Sequence, residues 1–375
     1  MTISEIDRIS IEQRYFEKVK NKEFTLNKAL RFIAVLIGRD YNDVETALSY
    51  IDQINMNEVD DTEKMKIGYA YLYIGELDKG WPLCKLRKYN KECETVYAAY
   101  SKHFKKEKEW ERQNIIGKKL YILLDQGLGD IIMWARYLPY IKGAHIYIYA
   151  LPRLKGMIPI LDKILCITGS NNQVIVTDSI QDHDYWVCIN DLSYIFNVKF
   201  NNWLKYYKYI YAKQHYIELW KPRLDEYKSS GKKLIGINCI GKGGDNDERK
   251  IDIDDIKLLL DTDGFLFFNL NIEHPIDHPN VIKHQYKVDR EPFMDTMGIM
   301  EHLDMVVTTD TCMVHLAGAM NIKTMLLCIR NCEWRWFMGP NNKSIWYPSV
   351  TIFKQRKAGE WKGINEFFEN MINEN

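Results

Sequence analysis

Met305-Val-Val-Thr-Thr-Asp-Thr-Cys-Met-Val-His-Leu-Ala-Gly-Ala-Met320 changes its periodicity halfway along. The first half is an apolar, β-branched run, the composition of a buried strand. The second half places Met313, Leu316, Ala317 and Met320 at i, i+3, i+4 and i+7, one face of an amphipathic helix. Between them stand Asp310 and Thr311, whose side chains can accept hydrogen bonds from the first free N–H groups of a helix. The stretch reads as a strand, a tight turn and a helix. Its helix start offers backbone donors and a partial positive charge to phosphate or another anion. Ala317, Gly318 and Ala319 are small enough to let that helix lie close to a sheet. The same pattern also fits an ordinary βα unit, and most such units bind nothing.

Working outward, 375 residues suffice for two or three domains with full cores. Lys+Arg and Asp+Glu both number 51, so no overall field draws the chain to nucleic acid or membrane, although a local patch stays open. The eight cysteines are scattered and include no CxxC pair, which points to a reducing compartment and no zinc site. Cys312 sits at the expected helix start, which can lower a thiol pKa. Met1 to Arg8 contains no signal-peptide core, and no apolar run approaches the roughly 18 residues that span a bilayer. A cytoplasmic protein with no membrane span is expected.

Residues 1–112 read as helices. Thr25 is suited to cap one that runs to Gly38, and Asn42 with Glu45 resembles a capping box for the next. Gly68, Ala70 and Tyr71, a turn at Gly75 and a second helix from Leu77 look like a degenerate tetratricopeptide hairpin, structural or peptide-binding. Residues 102–112 read as a solvated connector or helix end. From residue 117 the pattern changes to alternating strands and helices, hence parallel α/β sheets. Strands are expected at Lys119–Leu124, His145–Ala150, Val174–Val176 and Tyr185–Ile189, with helices near 153–163 and 191–197. A second α/β unit restarts at Lys233–Asn238, and the helix Glu360–Met371 can dock back on another domain. Between the units, residues 199–223 interleave Lys199, Lys205, Lys208, Lys213, Lys221 and Arg223 with Trp203, Tyr206, Tyr207, Tyr209, Tyr211, Tyr216 and Trp220. They form either a basic aromatic surface for an anionic or nucleic-acid partner or a helix with packed tyrosines and solvated lysines.

Several motifs carry a resemblance. Asp125-Gln-Gly-Leu-Gly-Asp-Ile-Ile-Met-Trp-Ala-Arg-Tyr-Leu-Pro139 resembles the first-domain signature of heptosyltransferase-like (family 9) glycosyltransferases fused to tetratricopeptide repeats. Asp310 to Ala319 resembles the donor-phosphate turn of that group. Cys332-Glu-Trp-Arg-Trp336, Trp346-Tyr-Pro348 and Phe353-Lys-Gln355 are similar to its C-terminal signature, and Gly75 to Pro82 to its preceding hairpin. The resemblance implies an α/β fold of two Rossmann-like domains of the GT-B type, spanning 117–228 for the acceptor and 231–358 for the donor. Residues 1–112 would be the helical region and 359–375 a C-terminal helix docking back.

It further implies sugar transfer from a nucleotide-sugar donor to an acceptor hydroxyl, inverting and metal-independent, with the nucleotide-sugar as co-substrate and no other cofactor. Asp130 would be the catalytic base, or a mere helix cap, and Gly127 and Gly129 would permit the tight turn and close approach of substrate. The N–H groups of Thr311, Cys312 and Met313, after Asp310, would hold the diphosphate. His315 would touch phosphate or sugar, or simply pack. Arg249, Lys250 or Lys242 would supply a cation, and Glu273 would meet the ribose. Asp252-Ile-Asp254 and Asp261-Thr-Asp263 read as caps or turn residues, not metal ligands. The acceptor stays open among glycan, protein and modified nucleic acid. Two other readings are a nucleotide-sugar epimerase or hydrolase and a non-catalytic interaction protein with a decayed cleft.

Overall fold

The computed structural model describes residues 3–90, 102–150, 174–177, 180, 182–199, 208–240, 249–271, 274–282, 293–336 and 342–373. The helical region holds α1 (Glu5–Lys20), α2 (Leu26–Tyr41), α3 (Val44–Ile51), α4 (Asp61–Tyr73) and α5 (Leu77–Cys84), followed by a 3-10 turn at Lys85–Tyr89. Thr25 caps α2 as expected, accepting from the Lys28 N–H at 3.2 Å. The helix runs past Gly38, however. That glycine takes the side chain of Ile74 against its backbone, and the stop is Asn42 at φ 54°. Asp43, not Asn42, then caps α3. The α4–α5 hairpin turns at Gly75 (φ 88°) and is closely packed, with Gly68 against Leu83 and Cys84 and Gly80 against Leu72.

The first sheet joins β1 (Lys119–Leu124), β2 (His145–Ala150), β3 (Val174–Thr177) and β4 (Tyr185–Cys188), all parallel in the order β3-β2-β1-β4. Helix α6 (Leu128–Ala135) follows β1 and α7 (Leu192–Ile195) follows β4. The helix expected at 153–163 lies outside the described residues. After α8 (Gln214–Lys228) comes the second sheet, built from β5 (Lys233–Asn238), α9 (Lys257–Leu260), β6 (Phe265–Asn269), β7 (Val281–Ile282), α10 (Met294–Met300), β8 (Met305–Thr309), α11 (Cys312–Ala319), β9 (Thr324–Cys328), β10 (Val350–Lys354) and α12 (Ile364–Asn373). Its strands are parallel in the order β10-β9-β8-β5-β6-β7, the doubly wound arrangement. Both faces are covered, which is why the strands are almost uniformly apolar. Ile235, Ile237, Met305, Val307, Met325 and Leu327 pack with α12, whose Phe368 ring lies 5.2 Å from that of Phe265. Helix α12 therefore docks on its own sheet and not on another domain. Leu234, Val306 and Leu326 face a core continuous with the first sheet.

Tryptophans join the three regions. Trp81 of α5 meets Trp134 of α6 and Trp334 edge-on at 5.4 and 5.3 Å, and its indole N–H donates to the Val198 carbonyl. One sequence expectation fails nearby, and one open choice is decided. Residues 102–112 are not simply solvated: Glu109 and Trp110 are buried, and the Trp110 N–H donates to the Trp186 carbonyl on β4. In 199–223, Tyr209, Tyr216 and Trp220 are buried and Lys208 and Lys221 pair with Glu301 and Asp225, so the packed-helix alternative holds for the described part. Trp203, Lys205, Tyr206 and Tyr207 lie outside it. Among the described residues no helix is long and apolar enough to cross a membrane.

Candidate functional site

In an open α/β sheet the ligand crevice lies beyond the carboxyl ends of the strands, where the strand order reverses. In the second sheet that point falls between β5 and β8. Here Asn238, the last residue of β5, donates from Nδ2 to the hydroxyls of Thr308 (3.3 Å) and Thr311 (3.2 Å). Thr311 is the N-cap of α11, and its hydroxyl accepts from the Met313 N–H at 3.3 Å. Of the three amides expected to hold phosphate, that of Met313 is thus already engaged. Arg249 reaches the same corner, donating from Nη1 to the Asp310 carbonyl at 2.7 Å. Lys250 instead pairs with Asp252 at 3.1 Å. Lys242 and Glu273 lie outside the described residues. A cavity of about 200 Å3 lined by Cys239, Lys250, Asp252, Asn269, Asn271 and His274 opens at the ends of β5 and β6, beside this corner.

Asp310 is buried rather than presented as an open cap. Burial pushes its carboxyl up to about 6 against the opposing pull of Arg335. Burial also pushes the Cys312 thiol up to about 11, so the pKa lowering expected from the helix start does not prevail. His315 is a packed histidine. Its Nδ1 is hydrogen-bonded to the Tyr347 hydroxyl at 2.9 Å, and its ring lies 5.1 Å from that of Trp336. Burial, with Arg335 and Arg136 close by, holds it well below the ordinary histidine range and hence neutral.

The first-sheet turn meets α11 directly. Gly127 is the N-cap of α6 with an ordinary φ of −86°; the left-handed residue is Gln126, at 64°. Gly129 does permit a close approach, but to His315: an added Cβ would stand 2.6 Å from the imidazole Cδ2. Gly129→Ala should therefore push the two units apart at this contact and cost about 1–3 kcal/mol, read as a lowered urea midpoint; an unchanged midpoint would show that the contact yields freely. Asp130 accepts from the Gly127 N–H at 3.2 Å through Oδ2, while Oδ1 is ion-paired with Arg335. Trp346 fixes that arginine by donating its indole N–H to the Arg335 carbonyl at 2.7 Å. The gap expected between the two helix starts is filled at Gly129–His315. What remains beside Asp130 is a cavity of about 40 Å3 lined also by Arg87, Asn190, Asp191 and Trp334, enough for water and too small for a sugar.

Sequence reasoning missed the partners. Arg335 lay in a quoted motif without a role. Arg87 carried no signal at all, yet it donates to Asp125 (2.6 Å) and Asp191 (2.6 Å) at the reversal point of the first sheet, and Asn190 also donates to Asp125. Lys88 pairs with Asp191 and Glu109. The helical region thereby closes the first sheet's crevice and leaves the second sheet's open.

Asp252 stands at the N-cap position of the 3-10 turn before α9 without a capping side-chain hydrogen bond, its carboxylate paired with Lys250, and Asp261 pairs with Lys257 and His278. Among the described residues no three His, Cys, Asp or Glu side chains gather as a metal-holding group.

No protein-family model matches the chain, and no curated protein matches it in sequence. Among solved structures it is similar to a family 9 glycosyl transferase from Veillonella parvula (13% identity, TM-score 0.40, covering 70% of this chain and 99% of that one). It is also similar to the E. coli ADP-heptose LPS heptosyltransferase II (9%, TM-score 0.42, 68% and 98%) and to the E. coli heptosyltransferase WaaC with ADP (12%, TM-score 0.36, 67% and 97%). These likenesses are loose, and the fold described above stands on its own strand order.

Proposed function

We propose that the chain is a glycosyltransferase that moves a sugar from a nucleotide-sugar to an acceptor hydroxyl, without a metal and with inversion. One observation carries the reading: Arg249 and the capped start of α11 meet at the reversal point of the second sheet, with the Asp130 turn packed against the same helix. In this reaction Asp130 takes the acceptor proton as its oxygen attacks the anomeric carbon, and the electron pair of the broken C–O bond leaves on the diphosphate. The amides of Thr311 and Cys312 and the Arg249 guanidinium meet that growing charge, which is the work a divalent cation would otherwise do. Buried Arg335 Nε has no hydrogen-bond partner among the described residues and supplies a further donor. The nucleoside takes the 200 Å3 cavity at β5 and β6. For an acceptor to reach Asp130, Arg335 must swing away, because the space there holds only water.

A thermal-shift screen against ADP-, UDP-, GDP- and CMP-sugars tests the donor. A ligand at about 100 times its Kd adds roughly 2.7 kcal/mol, and no shift with any of the four would sink the proposal. Turnover that survives EDTA and an inverted anomer by NMR would test the remaining terms. Asp310 adds a pH signature. A carboxyl raised to about 6 stabilises the fold at acid pH, and that stabilisation is lost as pH rises through 6, where the new charge also repels the donor diphosphate. Nucleoside diphosphate should therefore bind more weakly at pH 7.5 than at 5.5, and Asp310→Asn should flatten the difference. The Asp130–Arg335 pair favours one second reading, a non-catalytic interaction protein; nucleotide-sugar binding without turnover would select it.

A further inference from the structure

A cleft of about 480 Å3 separates α2 from the carboxyl ends of β9 and β10. Arg39 and Asp40 line it from the helix, Arg330 from beyond β9, and Lys354 and Arg356 from the end of β10. Four cations thus face one carboxylate in a protein whose formal net charge is zero. Asp40 is largely satisfied by Arg39, which donates to it at 2.7 and 3.2 Å, while Arg330 stands off at 3.5 Å. Burial opposes the ionised carboxylate, but Arg39, Arg330 and Lys354 outweigh it and hold Asp40 below the usual range. Lys354 and Arg356 make no ion pair among the described residues.

The cations are held in place by more than their own charge. Gln355, buried between Lys354 and Arg356, accepts through Oε1 from the Arg330 N–H and the Gly359 N–H, each at 3.3 Å. That bond ties the chain beyond β9 to the chain beyond β10 and fixes the backbone carrying three of the four cations. Planar guanidinium forks and an ammonium around a preformed hollow suit the oxygens of a phosphate group.

We propose that this cleft binds the phosphate-bearing end of the acceptor. The word acceptor rests on the glycosyltransferase reading; the anion site does not. The cleft lies on the β9–β10 side of the reversal point, opposite the cavity assigned to the donor nucleoside, and the segment Arg330–Arg335 runs from it to the Asp130 ion pair. It also gives α2 a part in the site.

The test is calorimetric titration of the full chain with inorganic pyrophosphate and with a hexose phosphate at about 0.15 M ionic strength, with and without saturating nucleoside diphosphate. Binding of both probes should persist with the nucleotide present. It should weaken at least about tenfold in Lys354→Glu/Arg356→Glu and stay within about twofold in Lys357→Glu/Lys362→Glu, an equal charge change at two exposed lysines outside the cleft. Lys354→Gln/Arg356→Gln, checked by its melting temperature, replaces the reversal if that variant unfolds. Unchanged binding in the Lys354/Arg356 variant, or equal loss in Lys357→Glu/Lys362→Glu, overturns the proposal. If no nucleoside diphosphate binds but the Lys354/Arg356 variant still loses pyrophosphate, the donor reading fails and the phosphate site stands without its acceptor role.

Discussion

Asp130→Asn should lower turnover of a bound nucleotide-sugar by about 10²- to 10⁴-fold while nucleotide affinity stays within about twofold. The substitution keeps an oxygen for the Gly127 N–H, so the start of α6 survives. It removes the proton acceptor and the charge facing Arg335, whose remaining carboxylate partner among the described residues is Glu333 at 3.3 Å. A second variant separates chemistry from architecture. Arg335→Gln should change kcat through the freed carboxylate, whereas a purely structural arginine would change the melting temperature and leave kcat of the folded enzyme alone. Full turnover in Asp130→Asn would remove Asp130 as the base and leave it a helix cap.

Arg87→Ala should destabilise the protein by about 3–5 kcal/mol, measured from the urea midpoint and slope. The guanidinium is buried and joins Asp125 and Asp191, whose side chains are 0% and 1% exposed. Removing it leaves buried Asp125 with the neutral Asn190 amide as its side-chain donor and Asp191 with Lys88 alone, and that loss exceeds anything a surface pair contributes. Arg87→Lys should recover part of the loss, since one ammonium cannot reproduce the fork that serves both acids. The pH dependence has a definite sign. Burial opposes ionised Asp191, but Arg87 and Lys88 hold its carboxyl below the ordinary range. Its contribution is therefore present at neutral pH and lost as pH falls through the folded-state value, and the alanine variant should show a shallower acid limb. A loss under about 1 kcal/mol would mean that the crevice of the first sheet opens to solvent.

The alternation of strand and helix from residue 117, the helix starts at Thr25 and Thr311 and the hairpin at Gly75 were legible because each depends on neighbours within a few residues. Those neighbours set a periodicity of 2 or 3.6 and the need to satisfy free N–H groups. The reading faltered where one residue type serves two purposes. Gly38 looked like a helix stop and is instead a packing notch for Ile74, and His315, which read equally as a phosphate contact or a packed residue, lies tilted against Trp336 and is bonded to Tyr347.

From its sequence alone this chain determines two parallel α/β sheets behind a helical region, and it singles out Asp130, Asp310 and Thr311. Tertiary structure alone decided what those residues meet: Arg335 on Asp130 across 205 residues, Arg87 on Asp125 across 38, and the Asp40 cleft between the first helices and the last strand. The reason is physical. Backbone hydrogen bonding is settled locally, whereas the partner of a buried charge depends on which surfaces the packing of whole sheets brings together, and no short pattern records that.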